Sequence, residues 1–251
     1  FFKSGRPEEY GFLPDGLPFL GPAGEGGSAA DPRQEARGAK TEEWSAGEVL
    51  RTRAYWFLTA GWIGYVVVMR GLNVHLVPFL TDRGLDLITA SRLAALTGVL
   101  GVPSLLLGGY VADRLRQEHL RYLLAGCTGL QALGLVVLLV GDHTGWGVYL
   151  FLALYGFGGG SQVALDATVK ARYFGSRAFG AVQGLSQFLA TPFGVLSPIV
   201  AGWLYDVTAS YHWAMALFAL SVATGTMALV LALPPSRPQT AGEARAVGCH
   251  P

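Results

Sequence analysis

Six long segments of predominantly apolar residues follow one another along the chain, separated by short polar connectors. Each is long enough to cross about 30 Å of hydrocarbon, which takes about 20 helical residues. Because lipid offers no hydrogen-bond partner to an open backbone, spanning segments of this kind are helical. The alternative, buried core helices of a large soluble protein, does not explain six such segments in succession. The predicted spans are Tyr55–Leu80, Ser91–Ala112, Leu120–Val140, Trp146–Leu165, Phe179–Leu204 and Trp213–Leu233.

Composition supports an all-α membrane protein and excludes several other classes. Charged residues make up 14% of the chain, against about 25% in soluble domains. The net charge of +1 gives no reason to expect a nucleic-acid partner. Cys127 and Cys249 are far apart and belong to no ligand motif, so we expect neither a disulfide framework nor a metal site. No cofactor is expected.

The chain divides into three regions. Residues 1–52 are polar and rich in Gly, Pro, Glu and Ala as far as Lys40, which predicts a loop. Ser45 and Glu48 have the spacing of a capping box, which predicts a short juxtamembrane helix before the first span. Residues 53–233 form the predicted six-helix bundle and 234–251 a polar tail. Because the chain begins without Met, we read it as part of a longer protein.

The distribution of Lys and Arg predicts the orientation. If the first segment is cytoplasmic, the remaining connectors and tail place eight Lys and Arg residues on that side and two, Arg83 and Arg92, on the other. Cytoplasmic loops carry the excess of basic residues. Both ends of the chain are therefore predicted to be cytoplasmic, in a plasma (inner) membrane.

A sequence motif after the second span indicates a family. The run from Gly109 to Arg116, GYVADRLR, resembles the G-x-x-x-D-[RK] loop signature of the major facilitator superfamily. That signature lies between the second and third helices of each six-helix half, as it does here. The run from Arg6 to Gly16, RPEEYGFLPDG, is similar to the central cytoplasmic loop that joins the two halves. The runs NVHLVP, RYFG and GWLYD are similar to the branch of oxalate:formate exchangers and monocarboxylate carriers.

The resemblance implies one half of a twelve-helix secondary transporter that works by alternating access. The expected partners are a small-molecule substrate, an organic anion by the branch resemblance, a coupling proton or anion, the lipid bilayer and an N-terminal half. No catalytic residue is expected. The alternative is a non-transporting membrane receptor or scaffold with the same fold. The chain has no G-x-x-x-x-G-K-[ST] phosphate loop, no H-E-x-x-H or G-x-S-x-G motif, and no segment resembling a channel filter.

Arg70 is the foremost candidate for binding an anion. It lies 15 residues after Tyr55, or about 22 Å along a helix. An arginine at that depth is costly unless it faces protein or a wet cavity, and its guanidinium matches a carboxylate. The alternative is that it reaches the outer headgroups. Asn73 lies on the same helical face and His75 on an adjacent one. Their alternatives are a helix–helix contact for Asn73 and a packed, hydrogen-bonded histidine for His75.

Three glutamines complete the predicted substrate site. Gln162 lies in the fourth span, and Gln183 and Gln187 share a face of the fifth. Side chains of this type either line a polar cavity or join helices by hydrogen bonds. Both alternatives stay open at this stage.

A charged gate is predicted at the cytoplasmic ends of the second and fourth spans. The motif contributes Gly109, Asp113, Arg114 and Arg116, and the fourth span ends next to Asp166. In the resembling superfamily the Asp docks at the other half and its basic neighbours pair with an acid on a nearby helix. We therefore expect Asp166 to pair with Arg114 or Arg116. The alternatives are a pair between Asp166 and Lys170 at i,i+4 and arginines that bind headgroups.

Overall fold

The computed structural model describes residues 44–141 and 145–235. One short helix precedes six long helices, each long and apolar enough to cross a membrane, which confirms the predicted all-α fold with six spans. The described part of the chain contains no strand. Residues 1–43, most of the predicted loop, and the tail from residue 236 lie outside the described residues. The helices are α1 Ala46–Leu50, α2 Arg53–Asp82, α3 Leu87–Arg114, α4 Gln117–Val140, α5 Trp146–Gly175, α6 Ala178–Thr208 and α7 His212–Leu231.

The predicted capping box before the first span is present. The Ser45 hydroxyl accepts from the Glu48 backbone N–H at 3.3 Å, and the Ser45 N–H donates to the Glu48 carboxylate at 2.8 Å. These two bonds satisfy donors that the first turn of a helix leaves open. A second cap at Thr52, whose side chain accepts from the Tyr55 N–H, begins α2. The predicted juxtamembrane helix is therefore confirmed as α1.

The prediction for the end of the fourth span is wrong by ten residues. The hydropathy pattern ends at Leu165, whereas α5 continues to Gly175. There the backbone turns to φ 78° and ψ 171°, which interrupts the helical run between α5 and α6. Hydropathy missed this half of α5 because it carries charged residues that neighbouring helices bury. Asp166 and Lys170 therefore lie inside the span and not at its end.

The six spans pack through close contacts at glycine. α2 packs against α6 and α7, α4 against α5 and α7, and α3 against α5. At Gly64 an added Cβ would lie 2.7 Å from the backbone oxygen of Ser221 on α7, and at Gly160 it would collide with the backbone of Gly101 on α3. Such contacts need residues without side chains, as in many membrane helix pairs.

Burial is uneven among the spans. In the most apolar window of each helix, 56% of α2 is buried, against 17% of α3 and 22% of α6. The described bundle has two large apolar clusters, one containing Phe79 and Phe218 and the other Tyr55 and Phe174, and a smaller one around Trp62. It also buries polar side chains, among them Gln131, Asp166 and Lys170. α3 and α6 are therefore the spans that leave the most apolar residues uncovered.

Candidate functional site

A cleft of about 270 Å³ opens between α2, α3 and α5. Its wall on α5 consists of Tyr155 and three glycines, so backbone forms much of it. Aromatic hydroxyls, an amide and a threonine supply its polar groups. The lining residues are Tyr65, Met69, Asn73, Thr97, Gly98, Gly101, Val102, Leu105, Tyr155, Gly156, Gly159 and Gly160.

Arg70 and Asn73 are exposed residues of α2, three positions apart, and Asn73 is one of the residues that line this cleft. The stem of Arg70 packs against α6, where a Cβ added at Gly194 would lie 3.3 Å from its Cγ. Three residues apart, the two side chains are neighbours on the helix surface. The structure therefore places a guanidinium at the border between the open face of α2 and α6.

His75 lies in the contact between α2 and α6 and not in the cleft. Its side chain is buried, and Nε2 is 2.9 Å from the carbonyl oxygen of Pro198. A carbonyl only accepts, so this bond requires the tautomer in which Nε2 carries the proton. The ring also lies 5.5 Å from that of Tyr211. This geometry corresponds to the packed, hydrogen-bonded alternative for His75.

The predicted glutamines divide between the open face and the helix contacts. Gln187 on α6 is exposed and accepts from the indole Nε1 of Trp62 on α2 at 3.2 Å. Gln183, one turn earlier, lies near the side chain of Asp166. Gln162 is buried and accepts from the Thr128 hydroxyl of α4 at 3.1 Å. In this structure Gln162 therefore joins two helices and does not reach the cleft.

A buried ion pair lies directly behind this part of α2 and α6. The ammonium of Lys170 is 2.7 Å from Oδ2 of Asp166, and the two side chains are 0% and 1% exposed. The same ammonium lies 5.4 Å from the centre of a Trp62 ring, within range of a cation–π interaction. The expected pair of Asp166 with Arg114 or Arg116 is not formed. Asp166 lies inside α5 and not at its end, and it pairs with Lys170 one turn later on the same helix. This is the i,i+4 pair named as an alternative above.

The other residues of the predicted gate surround the end of α3. Arg114 stacks on the Tyr110 ring at 3.6 Å, and Arg116 is exposed as the residue before α4. Asp113, with 83% of its side chain exposed, has an oxygen 3.7 Å from Arg172 Nη2. Arg172 also donates to the carbonyl of Leu115 at 3.1 Å. The α3–α4 connector is thus linked to the end of α5.

Gly109 lies in the last two turns of α3, where an added Cβ would meet nothing within 4 Å. The surface of α3 at Gly109 is therefore uncovered in this structure, and the predicted role of Gly109 in the gate stays a prediction. No group of three or more His, Cys, Asp or Glu side chains lies close enough to hold a metal ion within residues 44–141 and 145–235.

Sequence reasoning missed Gln131 on α4. The side chain is fully buried, and neither Nε2 nor Oε1 has a hydrogen-bond partner among the described residues. A polar cluster nearby joins α3, α4 and α5: Ser161 donates to Cys127 Sγ at 3.4 Å, and Ser104 of α3 donates to Ser161 at 3.1 Å. The sequence did show a glutamine inside an apolar span. Only the packed structure shows that this amide has no partner, unlike a glutamine that joins two helices by hydrogen bonds.

Comparison with known proteins gives consistent relatives. Residues 25–196 match the family profile described as Major Facilitator Superfamily. The chain is 28% identical over 184 residues to a protein of Bacillus subtilis described as "Uncharacterized transporter YycB", covering 69% of this chain and 44% of that protein. It is 31% identical to monocarboxylate transporter 12-B of Danio rerio, covering 55% and 29%. To monocarboxylate transporter 12 of Xenopus laevis it is 30% identical, covering 63% and 35%.

Solved structures agree with the fold. A peptide transporter of the POT family, solved in complex with alafosfalin, superposes with a TM-score of 0.63 at 18% identity, covering 88% of this chain and 47% of that one. An auto-inhibited POT family peptide transporter gives 0.62 at 17% identity, covering 74% and 40%. The chain thus spans less than half the length of these relatives and matches one half of the fold. With more than half of its residues in the family profile and six spans in that fold, the chain belongs to the Major Facilitator Superfamily.

Proposed function

We propose that this chain is the C-terminal half of a secondary active transporter that moves small organic anions by alternating access. The observation that carries the proposal is the exposed side chain of Arg70 on α2, three residues before Asn73 in the cleft between α2, α3 and α5. Inside a membrane such a charge is costly unless it faces a wet cavity or a partner. The proteins of Danio rerio and Xenopus laevis that share about 30% identity with the chain are named monocarboxylate transporters, which supports a carboxylate substrate.

In this proposal Arg70 binds the carboxylate and Asn73 supplies a further hydrogen bond from the same face of α2. A guanidinium offers two parallel N–H donors in the geometry of a carboxylate. Gln187, exposed and bonded to Trp62 across the border with α6, extends the polar surface toward the buried ion pair. His75 and Gln162 hold helices in position.

The Asp166–Lys170 pair is the proposed site of the coupling proton. Two charges removed from water need each other, and neutralising one leaves the other without compensation. Among the described residues, Lys170 is the group that forms an ion pair with Asp166, and Gln183 of α6 lies near the same carboxyl group. Protonation of Asp166 would free the Lys170 ammonium next to Trp62 and the open face. Proton binding and anion binding would then favour each other.

Uncovered apolar residues support a second half. α3 and α6 are the least buried spans, and α3 presents large apolar side chains such as Val102, Leu106 and Tyr110. The basic connectors predict that the end of the bundle where α2 begins and α7 ends is cytoplasmic. Asp113, Arg114 and Arg116 would then close that end against the other half, with Gly109 leaving room for the approach. Arg172 holds the connector in place.

Uptake by the full-length protein in proteoliposomes tests the proposal. Radiolabelled short monocarboxylates are expected to accumulate when an inward proton gradient is imposed. Arg70→Ala should abolish uptake, whereas Arg92→Ala, a matched change at an exposed arginine near the start of α3, should leave it intact. Equal uptake by the two variants would contradict the role of Arg70. Ligand-dependent signalling without flux would instead support a receptor.

A second measurement isolates the coupling step. Asp166→Asn should lose accumulation driven by the proton gradient but keep one-for-one exchange of labelled for unlabelled anion, because exchange moves no net proton. Accumulation at the normal level in Asp166→Asn would remove the coupling role from the buried pair.

A further inference from the structure

Gln131 carries an unexplained feature of the bundle. It extends from α4 and is fully buried, yet both polar atoms of its amide lack a hydrogen-bond partner in the described protein. A buried polar atom left without a partner costs about 1–3 kcal/mol. An apolar residue of the same size at this position would avoid that cost. The amide therefore needs a reason to be there.

The amide lies beside the wall of the cleft. A Cβ added at Gly159 would be 3.7 Å from Cδ, 3.8 Å from Nε2 and 3.9 Å from Oε1 of Gln131. Gly159 is one of the residues that line the cleft. Because glycine has no side chain, Gly159 leaves the space between its backbone and the Gln131 amide unfilled. An atom of a bound molecule that reached this space would contact all three amide atoms.

Neighbouring glycines show that this opening is specific to one position. A Cβ at Gly158 would lie 2.5 Å from the carbonyl oxygen of Cys127, and one at Gly156 would lie 2.7 Å from that of Thr97. Those two glycines are required by helix packing. Gly159 is different, because its Cβ would make ordinary contacts with Gln131. Packing alone therefore leaves the absence of a side chain at Gly159 unexplained.

The local backbone also favours a ligand site. Between Gly160 and Gln162 the regular hydrogen bonding of α5 is interrupted, and the Ser161 N–H bonds to the carbonyl of Gly159. The interruption lies near the middle of a 30-residue span. Membrane helices are discontinuous where the backbone lines a cavity or a binding site, because elsewhere its polar groups would be unsatisfied.

We propose that Gln131 is a specificity-determining residue of the substrate site, and that its amide hydrogen-bonds a hydroxyl group of the substrate that approaches past Gly159. An amide offers a donor and an acceptor, and a hydroxyl group can satisfy both. The substrate class is therefore hydroxylated small organic acids in preference to unsubstituted ones. The inference rests on the proposed transport of organic anions, but the accessibility of Gln131 does not.

Chemical accessibility tests the route without a known substrate. The full-length protein would carry Gln131→Cys with its other cysteines replaced, including Cys127→Ser, and be treated with methyl methanethiosulfonate, a small neutral reagent. We expect modification that Gly159→Ala slows by about tenfold or more. Gly98→Ala is the matched control, because its Cβ would meet nothing within 4 Å in the same cleft. An unreactive cysteine, or equal rates in the two glycine variants, would overturn the proposal.

Transport of two matched acids tests the chemistry. L-lactate and propionate share a three-carbon skeleton and differ by one hydroxyl group. The unmodified protein should prefer lactate by about tenfold, the factor that one neutral hydrogen bond supplies. Gln131→Leu, which keeps the volume, should abolish the preference by lowering lactate uptake about tenfold, to the propionate rate, while propionate uptake stays unchanged. A preserved preference would overturn the role of Gln131. Transport of neither acid by the unmodified protein would refute the proposed anion substrate, and the accessibility result would then decide on Gln131 alone.

Discussion

The buried Asp166–Lys170 pair gives a prediction whose magnitude follows from elementary electrostatics. Asp166→Asn leaves the Lys170 ammonium buried with no counter-charge, and the group escapes by releasing its proton. For a lysine with an ordinary pKa of about 10.4, that release costs about 4.6 kcal/mol at pH 7. Lys170→Met leaves a lone carboxylate, for which protonation at pH 7 costs about 4.2 kcal/mol from an ordinary pKa of about 3.9. Each single variant should therefore lose up to about 4–5 kcal/mol of stability.

The double variant should behave differently from the sum of the two. Asp166→Leu with Lys170→Met removes both charges and leaves apolar side chains of similar size. Replacing a buried ion pair in this way is often neutral or stabilising by about 1–4 kcal/mol. A double-mutant cycle should thus show a large favourable coupling between the two positions. The Trp62 ring next to Lys170 would keep its packing partner in Lys170→Met.

The assay is denaturant-induced unfolding of the purified full-length protein in mild detergent, followed by tryptophan fluorescence. The penalty in Lys170→Met should shrink by about 1.4 kcal/mol for each unit that the pH is lowered toward 5, since protonating the carboxyl group then costs less. The penalty in Asp166→Asn should grow instead. Single variants that each change the free energy of unfolding by less than about 1 kcal/mol would show that the pair is not buried as the structure has it.

Three further outcomes are expected. A reporter fused after Leu233 should read as cytoplasmic in a topology assay, and an external signal would contradict the orientation derived from the basic residues. Gly175→Ala should destabilise the protein by about 1–3 kcal/mol in the same unfolding assay, because φ 78° with ψ 171° is a conformation that glycine alone adopts readily; no loss would refute the turn. At the start of α3, the Asp86 side chain accepts from the Thr89 N–H, and this bond lowers the pKa of Asp86. The stabilisation is therefore present above the ordinary pKa and lost as acid protonates the folded carboxyl group, so Asp86→Asn should remove this part of the acid dependence of unfolding, and an unchanged acid profile would contradict it.

The ends of the spans show where hydropathy succeeds and where it fails. Five of the six spans have ends within about four residues of the predicted ones, because water and lipid impose the change from polar to apolar residues at those points. The fourth fails because Asp166 and Lys170 look like the end of a span in a hydropathy pattern. Inside the bundle they neutralise each other, so α5 continues for ten more residues to Gly175.

The candidate site was predicted in part. Arg70 and Asn73 could be singled out because a charge and an amide deep in an apolar helix need a polar environment, wherever it is. His75 and Gln162 looked equivalent by the same reasoning, yet they bond to Pro198 and Thr128 on neighbouring helices. A single helix shows which face a residue occupies, but not which helix covers that face.

The sequence by itself indicated that the protein lies in a membrane, that six helices span it, that a capping box begins α1, and which superfamily the chain belongs to. Those features depend on local composition, helical period and a short loop motif, each of which acts within about 20 residues. The tertiary structure alone decided that Asp166 pairs with Lys170 beside Trp62, that Gln131 lies against Gly159, and that a cleft opens between α2, α3 and α5. These contacts join residues far apart in the chain, and their energies come from burial and close packing, which exist only when the helices are together.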